Sequence, residues 1–204
     1  MTDKKSKKSY HHGNLRAELL VHTLSVVENE GPEAVSGRAA AKAVGVAPAA
    51  VYRHFPDKRA LLTACAASAF DQLADAIEAR KSDSQPQEMA QFRAEGEAYI
   101  AFALHRPNLF RLMFRGDVID GEDEEFLRAS GRLQTAPGNG MGDPGSPEGA
   151  VSILGWAVVH GLATLAIDSQ LDRELPANLV ERERVLTSMI SHMGPVFRTL
   201  GVKD

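Results

Sequence analysis

Tyr52, Arg53 and His54 fall within one turn of a short apolar-patterned segment, and Lys58 follows one turn later. A phenol, a guanidinium, an imidazole and an ammonium on one surface can all donate to phosphate oxygens, and such contacts hold a protein in register on a duplex without reading its sequence. Other chemistries find little support. The chain carries no phosphate-cradling glycine loop, no nucleophile elbow and no HExxH pair, and Cys65 falls on an inward helix face beside alanines. Glu122 and Glu125 read as helix-start acids. His105 and His160, with Glu95, Glu97 or Asp168, are suitable metal-ligand types but lack close spacing, so neither a metal nor another cofactor is expected. His160 reads as a group hydrogen-bonded within a packed interface, and His11-His12 as part of the approach to the first helix.

The elements that position these donors are set apart by charge. The chain of 204 residues has a net charge of -4. Its first sixty residues hold ten Lys/Arg against six Asp/Glu, and the remaining 144 hold thirteen against twenty-one, so a unit of +4 precedes one of −8. The expected boundary divides residues 1–60 from 61–204. A single cysteine forms no internal disulfide and suits a reducing cytoplasm. The lysine-rich start leads into Ser9-Tyr10-His11-His12 with no apolar stretch behind it, unlike a secretory signal. The run Val151 to Ile167 falls short of the roughly 20 residues of a bilayer span and reads as a buried helix, with no membrane partner expected.

Helical periodicity dominates and two-residue alternation is missing, so the fold class is all-α with about nine helices. Leu15, Leu19, Thr23, Val26 and Val27 make one face of a first helix, with Asn14 as its N-cap and Gly31-Pro32 as its stop. Segments Gly37 to Val44 and Pro48 to Phe55 flank Gly45-Val46-Ala47. A long helix is expected from Asp57 to about Lys81, followed by one bearing Met89, Phe92, Gly96, Tyr99, Ile100 and Ala103. A short helix should run from Pro107 through Phe114, another from Glu122 to before Ala136, and two more over Glu148 to Leu171 and Pro176 to Leu200. Between Pro137 and Pro147 four glycines and three prolines predict a mobile loop.

Ala34 to Leu62, AVSGRAAAKAVGVAPAAVYRHFPDKRALL, carries the most information. Gly45 stands where a helix-turn-helix needs positive φ, and Val46 supplies the apolar plug between its helices. With its Tyr-x-His-Phe ending, the segment resembles the TetR family of one-component bacterial regulators over about residues 10 to 62. Ser9 to Arg16, with Trp156 followed by His160-Gly161, is similar to the TetR subgroup whose ligand domain has a Trp-His-Gly signature. The resemblance implies an N-terminal three-helix DNA-binding domain and a C-terminal helical domain for ligand binding and dimerisation.

It also assigns residues. Arg38 matches the second-helix position that reaches a base edge, where a guanidinium suits guanine O6/N7. Pro48, Ala49 and Ala50 match recognition-helix positions facing the major groove, Tyr52, His54 and Lys58 match phosphate contacts, and Ser36 is a cap or phosphate donor. Arg53 joins the DNA set. Ala47 departs from the Ser or Thr that caps the recognition helix in many relatives, a loss of about 1 kcal/mol that Pro48 offsets in part. Ala49 and Ala50 offer only methyls, which suit thymine, so much of the specificity falls to Arg38, Arg53 and the arm Lys4-Lys5-Ser6-Lys7-Lys8. That arm either adds salt-sensitive affinity or is a solvated tail.

In the acidic part the resemblance implies dimer packing through the last two helices, so that two DNA units face one palindromic operator on double-stranded DNA. The ligand pocket falls to the middle helices and the first dimer helix, with Phe92, Tyr99, Phe102, Phe110, Met113, Phe114, Trp156 and His160 as candidate lining residues. Aromatic and methionine side chains suit a largely apolar small-molecule effector. The expected function is a homodimeric repressor released by that effector. A transcriptional activator or an architectural DNA-binding protein of the same fold, and an enzyme, stand as alternatives, although the −8 of residues 61–204 fits an architectural role poorly.

Overall fold

A computed structural model describes residues 14–82, 88–135 and 145–193. The lysine arm, His11-His12, most of the Pro137 to Pro147 segment and the end of the apolar stripe beyond Met193 lie outside the described residues. Among the described residues the chain forms nine α-helices and one 3-10 turn, with no strand. α1 spans Leu15–Glu30 and buries Leu15, Leu19, Thr23 and Val27 along one face. It stops at Gly31, whose φ of 87° would strain a side chain, and the Gly31 N–H donates to the Val27 carbonyl. Asn14 stands at the N-cap but its side chain makes no cap hydrogen bond. A 3-10 turn, Pro32–Ala34, leads to α2, Gly37–Val44.

The turn after α2 closes as a Schellman motif. Gly45 adopts φ 79° and ψ 31°, its N–H donates to Lys42 O at 3.3 Å, and the Val46 N–H reaches Ala41 O at 2.9 Å. α3, Pro48–Tyr52, is shorter than the periodicity predicts. The chain leaves helical geometry after Arg53, yet Phe55 remains buried and turns back beneath the Arg16 guanidinium, which lies 5.2 Å from its ring centroid.

α4, Lys58–Ser82, is the axis of the molecule. The Asp57 carboxylate caps it by accepting the Ala60 N–H at 2.8 Å, and every residue from Leu61 to Ala67 is buried. Burial pushes the Cys65 thiol up to about 12, which leaves it an inert packing group. Around this axis pack α5, Glu88–His105; α6, Pro107–Met113; and α7, Glu124–Thr135. α8, Pro147–Ile167, and α9, Leu179–His192, complete the described chain. α8 begins inside the segment expected to be a loop because the Ser146 side chain accepts the Gly149 N–H at 3.0 Å, with a proline in the first turn. α9 begins three residues later than expected, where the Asn178 side chain accepts the Glu181 N–H.

One apolar cluster runs from Leu15 to Ile190, so the basic and acidic parts share a core. Their junction is also polar. Asn108 of α6 donates to Glu28 O of α1 at 3.0 Å, Arg106 pairs with the Glu28 carboxylate at 3.3 Å, and Arg59 donates to Ile119 O at 2.6 Å. Arg16 and Glu125 add a further ion pair across it.

Two described helical stretches are long and apolar enough, by length and composition, to cross a membrane. The first, 58–80, is 67% buried in the protein's own core. The second, 149–167, corrects the sequence expectation twice: it is long enough, and only 22% of it is buried. α8 therefore shows an apolar face with Leu154 and Leu165 exposed, and α9 exposes Leu179, Val180 and Met189.

Candidate functional site

The helix-turn-helix gathers the predicted DNA-facing residues on one exposed surface. Ser36, Arg38, Pro48, Ala49, Tyr52, Arg53, His54 and Lys58 are exposed and Ala50 is half-buried, while Val51 between them is fully buried and anchors α3. Tyr52 extends across to the start of α2, where a Cβ on Gly37 would meet its hydroxyl at 3.6 Å. Ser36 occupies the α2 N-cap without making a cap hydrogen bond, so its hydroxyl is not spent on the helix as the sequence suggested. Phenol, serine hydroxyl and the amides of the first turn thus converge at the positive end of α2.

Partner choice separates the cations of this surface from the rest. Of the lysines and arginines whose side chains are described, only Arg38, Lys42, Arg53 and Arg173 make neither an ion pair nor a side-chain hydrogen bond within the described chain, and three of these four lie on the helix-turn-helix. Lys58 differs, because its Nζ donates to Glu33 O at 2.7 Å and ties the start of α4 to the 3-10 turn. The Glu33 carboxyl is held below its ordinary range by its backbone hydrogen bond and by Arg115, whose Nη1 lies 3.2 Å away.

The second grouping lies between α5 and α8. A shallow crevice, open to solvent and with only about 20 Å³ of room, is lined by Phe92, Glu95, Gly96, Tyr99, Trp156 and Val159 together with Gly155. Three of the eight expected ligand contacts, Phe92, Tyr99 and Trp156, therefore meet there. His160 sits directly behind: the Tyr99 hydroxyl lies 2.8 Å from its Nδ1, and the Trp156 indole stacks on its ring at 5.0 Å and 20°. Phe110 and Phe114 pack against the same imidazole at 5.6 and 4.6 Å. Phe102 and Met113 are buried but do not line the crevice.

Burial lowers the His160 pKa, so the ring is neutral near pH 7 and takes the Tyr99 hydroxyl proton as an acceptor when its own proton is on Nε2. The Tyr99 pKa is raised, chiefly by burial, with a hydrogen bond from Trp156 opposing it. His105 is separately engaged by Glu183 at 3.0 Å, so the two imidazoles do not share a site.

Glu95 was missed as a crevice residue. Its signal was present, since a carboxylate three residues after Phe92 and four before Tyr99 shares their helical face. The junction residues Arg59, Arg106, Asn108 and Arg115 had no such signal, because each meets a partner distant in sequence.

A helix-turn-helix with unpaired outward cations, carried on an α-helical domain with an apolar crevice, defines a DNA-binding transcriptional regulator. Two family models match the chain: "Bacterial regulatory proteins, tetR family" over residues 19–65, and "Tetracyclin repressor-like, C-terminal domain" over residues 92–193. The chain belongs to the TetR family. Among solved structures, a Rhodococcus sp. RHA1 protein of unknown function is 30% identical with a TM-score of 0.69, over 91% of this chain and 98% of that one. A tetR-family transcriptional regulator from Streptomyces coelicolor is 19% identical, TM-score 0.65, over 96% and 85% of the two chains. A TetR variant from Acinetobacter baumannii AYE, solved in complex with minocycline, shares the fold at 17% identity and TM-score 0.54, over 94% and 98%. No curated protein sequence matches the chain.

Proposed function

We propose that the protein is a transcriptional repressor that binds a palindromic operator as a homodimer and is released by a small, largely apolar effector. The observation that carries this reading is the concentration of unpaired cations, Arg38, Lys42 and Arg53, on the two helices of the helix-turn-helix. Arg38 reads a base edge, Pro48, Ala49 and Ala50 face the major groove, and Ser36, Tyr52, His54 and Lys58 take phosphates. Ser36 and Tyr52 flank the α2 N-terminus, so one phosphate there would meet two hydroxyls and a helix dipole. Lys58 keeps two ammonium protons for a phosphate while it holds Glu33.

The exposed apolar faces of α8 and α9 support assigning dimerisation to them, and a two-fold arrangement then sets the half-site spacing. Residues 1–60 form the DNA-binding unit and 61–204 the ligand-binding and dimerisation unit, with α4 shared between them. Trp156, His160 and Gly161 are the basis for placing the chain in the Trp-His-Gly subgroup.

The crevice between α5 and α8 is the effector site, and the minocycline complex of the Acinetobacter relative supports a small molecule in this domain. An effector that wedges α5 from α8 shifts α4 and α6, and through Arg59, Arg106 and Asn108 it displaces α1 with the helix-turn-helix. The cytoplasm is the compartment this role requires. Selection of bound sequences from a random duplex pool tests the reading. An enriched inverted repeat is expected, and a single asymmetric motif or no enrichment contradicts it.

A further inference from the structure

We propose that Glu33 and Arg115 control the availability of Lys58 to a DNA phosphate. Glu33 is a built-in competitor for the Lys58 ammonium, and Arg115, reaching across from the turn between α6 and α7, holds that competitor away. This rests on reading Lys58 as a phosphate contact and adds what governs it.

Glu33, in the 3-10 turn, engages both cations. Its carbonyl accepts Lys58 Nζ at 2.7 Å, while its carboxylate takes Arg115 Nη1 at 3.2 Å. The carboxyl is held below its ordinary range by a backbone hydrogen bond first, then by Arg115, with the charge of Lys58 contributing as well. It is therefore ionised near pH 7 and within electrostatic reach of that ammonium. The Glu33 side chain is 72% exposed, so it has room to turn. Because Lys58 already sits on the backbone carbonyl of the same residue, changes of Glu33 rotamer alone bring carboxylate and ammonium together. Paired in that way, Lys58 has no net charge to offer a phosphate, and a second anion stands beside the duplex.

Arg115 is equipped to let go. Its Nε and Nη2 make a two-point pair with Asp117 of its own turn, each at 2.8 Å, so parting from Glu33 costs one longer contact and leaves the guanidinium paired. It is also placed to be moved. Phe114, the preceding residue, packs on the His160 imidazole at 4.6 Å, and that imidazole stacks on Trp156 of the crevice. The far half of the same turn is fixed to α4, where Arg59 donates to Ile119 O and Thr63 Oγ1 accepts the Asp120 N–H at 2.9 Å. A displacement of Trp156 and His160 thus reaches Arg115 through one peptide unit while the rest of the turn stays anchored.

A mutant cycle on DNA binding tests the proposal. Full-length protein is titrated by fluorescence anisotropy, at one low salt concentration, on a duplex enriched by sequence selection and on a scrambled duplex. Arg115→Gln should weaken binding about threefold, and Glu33→Gln should strengthen it by about the same factor, on both duplexes alike. The double variant should bind as Glu33→Gln does alone, because Arg115 has nothing left to restrain. With Lys58→Met in place, neither substitution should matter further. Far-UV circular dichroism shows whether each variant keeps its helices.

A contact that merely braces the junction predicts that both single substitutions weaken binding. A general effect of charge on DNA predicts opposite but additive changes that persist with Lys58→Met. Either pattern, or no change from either substitution, overturns the proposal. Where Arg115→Gln does not fold, Glu33→Gln with and without Lys58→Met decides by itself. The two duplexes separate this proposal from the repressor reading. The expected cycle on scrambled DNA with no sequence enriched defeats the repressor reading and leaves the control of Lys58 standing. An enriched inverted repeat with additive effects defeats that control alone, and wild-type protein that binds no duplex defeats both.

Discussion

At the DNA-facing end, Arg38, Lys42 and Arg53 reach into solvent without partners, on two short helices whose apolar anchors are few and whose turn depends on one glycine. At the crevice the acid Glu95 is buried among aromatics, and the helices are long and closely packed. The first surface is written in local terms, through residue types within a turn or two of each other. The second is assembled from α5 and α8, sixty residues apart, and its chemistry exists only after packing. One surface can bind a partner that supplies all the opposing charge, whereas the other must enclose its partner.

The sharpest break in this comparison should come at Arg38. Arg38→Ala should relax base preference at one position per half-site by about 1–3 kcal/mol while leaving thermal stability unchanged, since the side chain has no intramolecular partner. Binding-site selection and a melting curve measure the two effects; an unchanged preference would remove Arg38 from the base-reading set.

Two glycines give a matched contrast. A Cβ at Gly45 meets nothing within 4 Å, so Gly45→Ala should lose about 1–2 kcal/mol purely through its φ of 79°. At Gly96 the backbone is ordinary helix, but a Cβ would lie 3.0 and 3.1 Å from two carbons of Ile190. The cost of Gly96→Ala, about 1 kcal/mol, should therefore shrink when Ile190→Ala is already present, whereas no second substitution at a neighbouring side chain should rescue Gly45→Ala. Chemical denaturation of the four combinations at positions 96 and 190 checks this, and strict additivity would contradict the packing account.

His160 predicts a smaller, pH-dependent effect. Its pKa is lowered in the folded state, so the unfolded chain binds more protons as pH falls through the ordinary histidine value near 6.5. Stability should be fully present at pH 8 and decline on acidification through that value, and His160→Gln should flatten the decline in melting temperature between pH 8 and 5.5. Smallest of all, Ser36→Ala should change stability by only a few tenths of a kcal/mol, well short of the usual cap loss of about 1 kcal/mol, because no cap bond exists to be lost. A full cap loss in the melting curve would restore the capping role.

Legibility followed the same division. Gly45-Val46, the buried stripe of α1 and the cluster Tyr52, Arg53, His54 were readable because each is a short-range pattern. Helix ends were readable only where a cap followed a familiar signature: Asp57 gave the start of α4 within one residue, while Ser146 and Asn178 moved the starts of α8 and α9. In the crevice, Phe92, Tyr99 and Trp156 were identified by type, but type alone could not separate them from Phe102 and Met113, which pack without lining it. Glu95 shared the helical face of Phe92 and Tyr99, but its type pointed the other way, because a glutamate in a helix ordinarily faces water.

The central claim is that the unpaired cations of the helix-turn-helix serve a specific duplex. Fluorescence anisotropy of the purified protein on DNA from its own upstream region, across a salt series and beside a scrambled duplex, tests it most directly. The account predicts tight binding that weakens steeply with salt on both duplexes, a sequence preference that persists, and two or four chains per site. Binding to the upstream duplex no tighter than to the scrambled one at every salt concentration, by protein shown by native mass spectrometry to carry no small molecule, would contradict it.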